Sequence, residues 1–322
     1  MDNLPLVTIG IPTFNRLELL KNSLKSAIFQ TYSNLEIIVS NNASTDGTKE
    51  WLESFCDPRI KVFHQDKNLR MVSNWNVCVK AATGKYFMLL SDDDFLDINF
   101  ITEVIKTINS VKDEPVLCFS NLCIVNSEEL PDKVKGKSLA LRKEYFTEIT
   151  STKFICNFLI GKPLVFPCGI LFKTKELIAI DNFPEFYTLA ADAAAWIRIL
   201  MQSRESSFIF SENAVAFYRR HDASATAENK KILWAQEILD LILEFQGLAL
   251  KNKRTLPNEF NAVLYRAMAR NLFFNSKSKM IFFKDLFLLS KKFKPTFKEF
   301  LFSAVRWNIS DQNWNKIKRF LN

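Results

Sequence analysis

Asp92-Asp93-Asp94 is the densest chemical feature of the chain. Three adjacent carboxylates repel one another and tolerate close packing only beside a cation or open water. A hard divalent cation, Mg2+ or Mn2+, is their natural partner, because such ions take one or two protein carboxylates and keep positions for phosphate oxygens. The competing reading is a solvated acidic turn ahead of a helix. Position favours chemistry: the triplet follows Tyr86–Leu90, apolar throughout and read as a central strand. A histidine-rich metal site is excluded, since the chain has only His64 and His221. Its six cysteines show no zinc spacing and read as small buried apolar residues. His64, at the end of a strand, reads as structural.

The elements that must position the triplet alternate. Leu6–Ile11 is a β-branched run closed by Pro12, hence a strand, and Leu17–Phe29 has helical spacing. Strands follow at Leu35–Val39, Ile60–Phe63 and Tyr86–Leu90, with helices at Thr48–Phe55 and Met71–Ala82 between them. Such alternation with short turns predicts a parallel sheet covered on both faces. Ligands bind such sheets outside the carboxyl ends of the strands. The polar clusters lie there: Thr13-Phe14-Asn15-Arg16, Asn41-Asn42-Ala43-Ser44 and the triplet. Beyond a helix at Ile98–Ile108 the pattern loosens. Strands are expected at Val116–Val125, Pro167–Phe172 and Val215–Tyr218, a surface loop at Asn126–Lys143, a helix at Asp192–Met201, and helices from Lys230 onward.

Composition sets the class. With 322 residues, 48% hydrophobic and 24% charged, the chain can bury a sizeable core, so wholesale disorder and a disulfide scaffold are excluded. The best candidate membrane span, Ile155–Phe172, is broken by Lys162, Pro163 and Pro167. Met1–Pro5 has neither a basic region nor an apolar run, so no signal peptide is expected. The expected location is the cytoplasm, free or peripheral on the cytosolic face of the membrane. The net charge of +8 is concentrated in residues 280–322, which hold nine basic and three acidic residues, eight Phe, Trp307 and Trp314. Basic residues interleaved with rings suit an anionic membrane surface. A helical subdomain with its rings packed inward fits the same pattern. No nucleic-acid-binding motif is present, and nucleic acid is not an expected partner.

Val7-Thr8-Ile9-Gly10-Ile11-Pro12-Thr13-Phe14-Asn15-Arg16, Ser40-Asn41-Asn42-Ala43-Ser44-Thr45-Asp46-Gly47-Thr48, Asn68 with Asn74-Trp75-Asn76, and Gly84-Lys85-Tyr86 running into Leu90-Ser91-Asp92-Asp93-Asp94 occur in order within about 95 residues. Together they resemble the signatures of family 2 glycosyltransferases. The resemblance is strong to about residue 125, thinner to about 225, and silent on the rest. It implies the α/β GT-A fold, a Rossmann-like and mostly parallel sheet with helices on both faces, plus a helical C-terminal extension. The implied organisation is a nucleotide-sugar-binding half (1–115), an acceptor-binding half (116–228) and a basic, aromatic helical region (229–322).

The implied reaction is inverting transfer of a sugar from a nucleoside diphosphate, UDP by the family's habit, to a hydroxyl of a glycan or lipid-linked oligosaccharide. The nucleotide-sugar would meet Pro12, Thr13, Phe14, Arg16, Asn41, Asn68, Asp92, Asp93 and Arg220. Asp94 and His221 would ligate the metal. Asn41 stands where the family usually has Asp, which leaves a hydrogen-bond acceptor without the charge. Asp46 and Asn68 also read as turn- and loop-ordering residues. The general base falls on Asp192, in Ala191-Asp192 where the family has an acidic pair; an N-cap of the following helix is its alternative role. Arg220 and His221 belong to Tyr218-Arg219-Arg220-His221, which resembles a late family segment. The departures at Asn41 and Ala191 keep open a catalytically silent nucleotide- or sugar-binding module of the same fold.

Overall fold

Every residue of Val7–Thr13 (β1) and Leu35–Asn41 (β2) is buried, as expected of strands covered on both faces. A computed structural model of the chain describes residues 4–126, 138–139, 146–147, 149–159, 163, 165–221, 231–275, 279–293 and 295. Helix α1 (Leu17–Ile28), α2 (Thr48–Glu53), β3 (Ile60–His64), α3 (Met71–Ala81) and β4 (Tyr86–Leu89) complete the alternating first third. β1 pairs in parallel with β2 and β4, and β2 with β3. The register sets Thr13 opposite Asn41 and Asn41 opposite His64, so three strands end flush.

The remaining elements are β5 (Phe95–Leu96), α4 (Phe100–Asn109), β6 (Leu117–Asn126), β7 (Ser138–Leu139), α5 (Ser151–Leu159), β8 (Ile170–Lys173), α6 (Thr174–Ala179), α7 (Ala191–Gln202) and β9 (Phe208–Arg220). The sheet order is β3-β2-β1-β4-β8-β6-β9-β5, with β7 added on β6. β8 runs antiparallel to β4 and β6, β6 is parallel to β9, and β5 is antiparallel to β9. The sheet is therefore mixed, with its uninterrupted parallel part confined to the first four strands. After β1 the chain builds β2 and β3 on one side and returns to the other side for β4. That reversal opens a crevice at the carboxyl ends of β1 and β4.

Four expectations are corrected. Pro167 cannot donate to a ladder, so Pro167–Gly169 forms a 3-10 turn and β8 begins at Ile170. The expected short strand at Val215–Tyr218 is the second part of the 13-residue β9. The ladder with β6 jumps from Ser120–Ser211 to Asn121–Val215, and the skipped polar pair Glu212-Asn213 hides the strand pattern. Within the expected loop at 126–143, Asn126 closes β6 and Ser138–Leu139 pair with it; the other residues lie outside those described. Five cysteines are buried, but Cys56 is exposed.

The chain divides into two compact units, Met1–Ala225 and Thr226–Asn322. The second contains α8 (Lys231–Lys251), α9 (Phe260–Asn275) and α10 (Lys279–Phe293). Tyr265, Ala269, Leu286 and Leu289 form a core between α9 and α10. Trp307 and Trp314 lie outside the described residues.

Two glycines let the first unit close. A Cβ on Gly10 would lie 2.7 Å from the Cβ of Cys78 on α3, and one on Gly84 2.6 Å from Thr8 Oγ1. At that same edge Glu36 is buried and fully engaged. It accepts from Thr8 Oγ1 (2.6 Å), Thr83 N (2.9 Å), Thr83 Oγ1 (2.8 Å) and Lys61 Nζ (2.5 Å). Burial opposes its charge, but the bonds from Lys61, Thr8 and Thr83 outweigh burial and hold the carboxyl below its ordinary range. Its contribution is therefore complete above the unfolded-state pKa and fades as pH falls through the folded-state value. Glu36→Gln is expected to lower stability by about 2 kcal/mol at neutral pH. Denaturant titrations at several pH values should show that loss shrinking in acid; a loss independent of pH would contradict the assignment.

Candidate functional site

The triplet occupies the crevice between β1 and β4. Leu90 N–H donates to Gly10 O (2.9 Å), which fixes the exit of β4 beside β1. Asp92 is buried and accepts from Thr13 Oγ1 at 2.8 Å. Arg16, at the N-terminal end of α1, places Nη1 3.2 Å from Asp92 Oδ1 and 3.1 Å from Asp93 Oδ2. Asp94 is also buried, and its Oδ1 accepts the backbone N–H of Arg219 at 3.0 Å. Arg219 Nε donates to Asp93 O at 3.0 Å, and its guanidinium lies over the Phe95 ring. His221 Nε2 lies 2.9 Å from Asp93 Oδ2. Two chain-distant segments thus bring hydrogen-bond donors to one acidic turn, and Arg16 and His221 meet at the same oxygen, Asp93 Oδ2.

The charge state follows from this placement. Burial pushes the Asp92 carboxyl above its ordinary range and the charge of Asp93 pushes the same way, while Arg16 and Thr13 pull it down. Burial and Asp93 likewise raise Asp94, against the Arg219 N–H and the Cys168 thiol. Burial disfavours the charged form of Arg16, yet Asp92 and Asp93 more than compensate and keep it cationic. The cluster draws positive charge toward itself. Its donors are carboxylate oxygens and one imidazole, a set that fits Mg2+ or Mn2+. Among the described residues no three His, Cys, Asp or Glu side chains converge as a ready-made cage.

The neighbouring strand ends are ordered by their own polar side chains. Asn15 N donates to Ser44 Oγ (2.9 Å), and Thr45 N donates to Asn15 Oδ1 (2.7 Å). Asp46 accepts from Leu17 N (2.9 Å) and Thr48 Oγ1 (2.6 Å), so it serves the first turns of α1 and α2 together. Asn41 Oδ1 accepts Ser44 N–H (3.0 Å), and its Nδ2 is 3.1 Å from His64 Nδ1. Asn68 accepts from Arg70 N (2.8 Å) and from Asn42 Nδ2 (3.2 Å), the loop-ordering role its sequence position suggests. Pro12 is buried in β1, while the Phe14 ring beyond it is 42% exposed. Thr13, Arg16, Asp92, Asp93, Asp94 and His221 are therefore joined by direct contacts. Phe14, Asn41 and Asn68 line the same strand ends.

His221 reaches Asp93. Of the two arginines in Tyr218-Arg219-Arg220-His221, Arg219 engages the turn and Arg220 is exposed. The signal lay in strand alternation: at the end of β9, Arg219 and Arg220 take opposite faces, and His221 just beyond the strand follows Arg219. Asp192 is half-buried in the first turn of α7, where Ala190 occupies the N-cap position without a side-chain cap. Asp192 is thus inside the helix, and the N-cap alternative is overturned.

Residues 8–164 match the family model described as glycosyl transferase family 2. An uncharacterized glycosyltransferase of Rickettsia typhi, RT0329, is 30% identical over 237 residues, covering 72% of this chain and 71% of its own length. The chain spans 39% of the length of two longer rickettsial relatives that it also matches. Among solved structures, S. aureus TarS 1-349 in complex with UDP-GlcNAc superimposes with a TM-score of 0.64 at 14% identity, covering 97% of this chain and 90% of that one. The mannosyltransferase PcManGT from Pyrobaculum calidifontis, in complex with GDP-Man and Mn2+, gives 0.55 at 18% identity, covering 97% and 89%. These likenesses show the GT-A-like fold, a mixed curled sheet with helices.

The charge cluster makes a direct prediction. Arg16→Met should destabilise the chain by roughly 3 kcal/mol by leaving buried carboxylate charge uncompensated. Arg16→Met combined with Asp92→Asn should recover part of that loss. A double-mutant cycle in urea measures the coupling, and strictly additive effects would rule it out.

Proposed function

The chain belongs to glycosyl transferase family 2, and we propose that it performs metal-assisted, inverting transfer of a sugar from a nucleoside-diphosphate sugar to a hydroxyl of a glycan or lipid-linked glycan. The observation that carries this reading is the buried Asp92-Asp93-Asp94 turn at the β1–β4 crevice, approached by Arg16 and by the end of β9. Phe14, Thr13 and Asn41 take the base and ribose, with Pro12 and Asn68 shaping the floor and the adjoining loop. Arg16 supplies positive charge for the diphosphate. Asp92 orients the ribose or sugar.

Asp94 and His221 would hold the divalent cation together with Asp93, the carboxylate that His221 reaches. The cation supplies neutralisation of the charge that develops on the departing nucleoside diphosphate. Asp192 takes the proton from the acceptor hydroxyl as that oxygen attacks the anomeric carbon opposite the leaving group. The leaving nucleoside diphosphate takes the electron pair of the broken glycosidic bond, and the configuration inverts.

Thermal shift with UDP, GDP, dTDP and their sugars, with and without Mn2+, tests the donor site. A ligand at about 100-fold its dissociation constant should stabilise wild type by roughly 2.7 kcal/mol. The shift should need the ion and vanish in Asp93→Ala. Asp192→Asn should keep the shift and lose transfer by roughly a hundredfold to ten-thousandfold. Undiminished transfer in that variant would remove Asp192 from the base role. Nucleotide binding without turnover in wild type would establish the silent module instead.

The acceptor reading includes an anionic membrane surface met through residues 280–322. No helix among the described residues is long and apolar enough to cross a membrane. α10 exposes Phe287 (52%) and Leu288 (54%), with Lys291 and Lys292 in its last turn. Phe287→Ser with Lys291→Glu should abolish sedimentation with phosphatidylglycerol vesicles; retained sedimentation would place docking elsewhere.

A further inference from the structure

The connection from α6 to α7 presents an aromatic ring that the fold does not use. Phe186 is 77% exposed, more than any other large hydrophobic side chain among the described residues, while Phe183 and Tyr187 on either side are buried. The connection is tightly held. Phe183 N donates to Asn76 Oδ1 (3.0 Å), Asn76 Nδ2 donates back to Phe183 O (2.9 Å), and Tyr187 N donates to Pro184 O (3.2 Å). The Phe183 ring packs against Trp75, Phe87 and Phe172. Asp181 and Asn182 both have positive φ, which turns the chain sharply into this arrangement. Phe186 is therefore presented from a fixed frame, its edge supported at 87° by Tyr187.

The frame faces the right end of the sheet. Ser73 Oγ donates to Glu185 Oε2 (2.9 Å) and Asn76 Nδ2 to Glu185 Oε1 (3.3 Å). Ser73 and Asn76 lie in the first two turns of α3, just after the loop that leaves the carboxyl end of β3. Phe186 thus sits at the strand-end side that also holds Asn41, Asn68 and the acidic triplet. The next element in the chain is α7 with Asp192 in its first turn.

We propose that Phe186, with Glu185 beside it, is a platform for a pyranose ring of the acceptor. A pyranose offers an apolar face of axial C–H groups and a rim of hydroxyls. An exposed ring on a held frame, with the exposed carboxylate of Glu185 as its chain neighbour, matches both. A protein partner would want a wider apolar surface than one ring among polar neighbours. The assignment rests on the transferase reading above and adds where the acceptor sugar is held.

The test uses the full-length chain and saturation-transfer NMR with methyl β-D-glucopyranoside, methyl β-D-galactopyranoside and methyl N-acetyl-β-D-glucosaminide. At least one probe should receive saturation on its axial C–H protons from wild type. Phe186→Ala should weaken that contact about tenfold, the order expected for one aromatic pair. Phe186→Trp should retain it, and thermal shifts with nucleoside diphosphates should be unchanged in both. Equal contact in wild type and Phe186→Ala, or no contact with any probe, would overturn the platform. A wild-type chain that binds pyranoside through Phe186 but shifts with no nucleotide would sink the transferase reading and leave the platform standing.

Discussion

Two buried carboxylates flanking a third are tolerable only where positive charge and hydrogen-bond donors converge on them. Asp92 and Asp94 receive theirs from different segments, Arg16 and Thr13 from the first β-to-α turn and Arg219 from the far end of β9. The architecture of the first unit serves that convergence. β1 and β4 must be neighbours for Thr13 to reach Asp92, which demands the reversal of strand order. β5 must pair with β9 for Arg219 to arrive behind Asp94. The antiparallel strand β8, inserted between β4 and β6, bridges the two parallel groups and brings the late strand within reach of the early turn. Loss of any one pairing leaves carboxylate charge buried without its partner.

The first third of this arrangement was legible in the sequence because local signals agreed there. Apolar β-branched runs, helical spacing and polar strand ends point one way from Val7 to Asp94, and the strands and helices lie within one or two residues of their expected bounds. Donor-side residues follow from topology, since a strand end in a parallel sheet has a defined location. The second half was less legible for physical reasons. β9 is assembled from two runs separated by Glu212-Asn213, and a pattern of period two does not survive three residues that leave the ladder. β5 and β7 have two residues each, too few for any periodicity to show. Arg219 and Arg220 are chemically identical in sequence, and only the alternation of a strand whose length was unknown distinguishes them. The bond between His221 and Asp93 rather than Asp94 depends on where Arg219 N–H is spent, which no spacing reveals.

The polar scaffold outside the triplet divides by function. At the amino-terminal edge Glu36 gathers Thr8, Lys61 and Thr83, joining β1, β2, β3 and the turn before β4. At the carboxyl edge Asn15, Asp46, Asn42 and Asn68 bond mainly to backbone of neighbouring loops. One edge is fastened between side chains and closed; the other is fastened through loop backbone, which leaves rings such as Phe14 turned outward.

The break in β9 has a consequence for how such a chain can diversify. Its first part, Phe208–Ser211, belongs to the aromatic cluster around Phe119, Phe154 and Trp196, while its second part ends in Arg219 and His221. Three residues outside the ladder separate the two, and each part keeps its own register with β6. Each part therefore stands on its own register, and the pairing that carries Arg219 to Asp94 does not run through the pairing around Phe208, a modular joint inside a single strand.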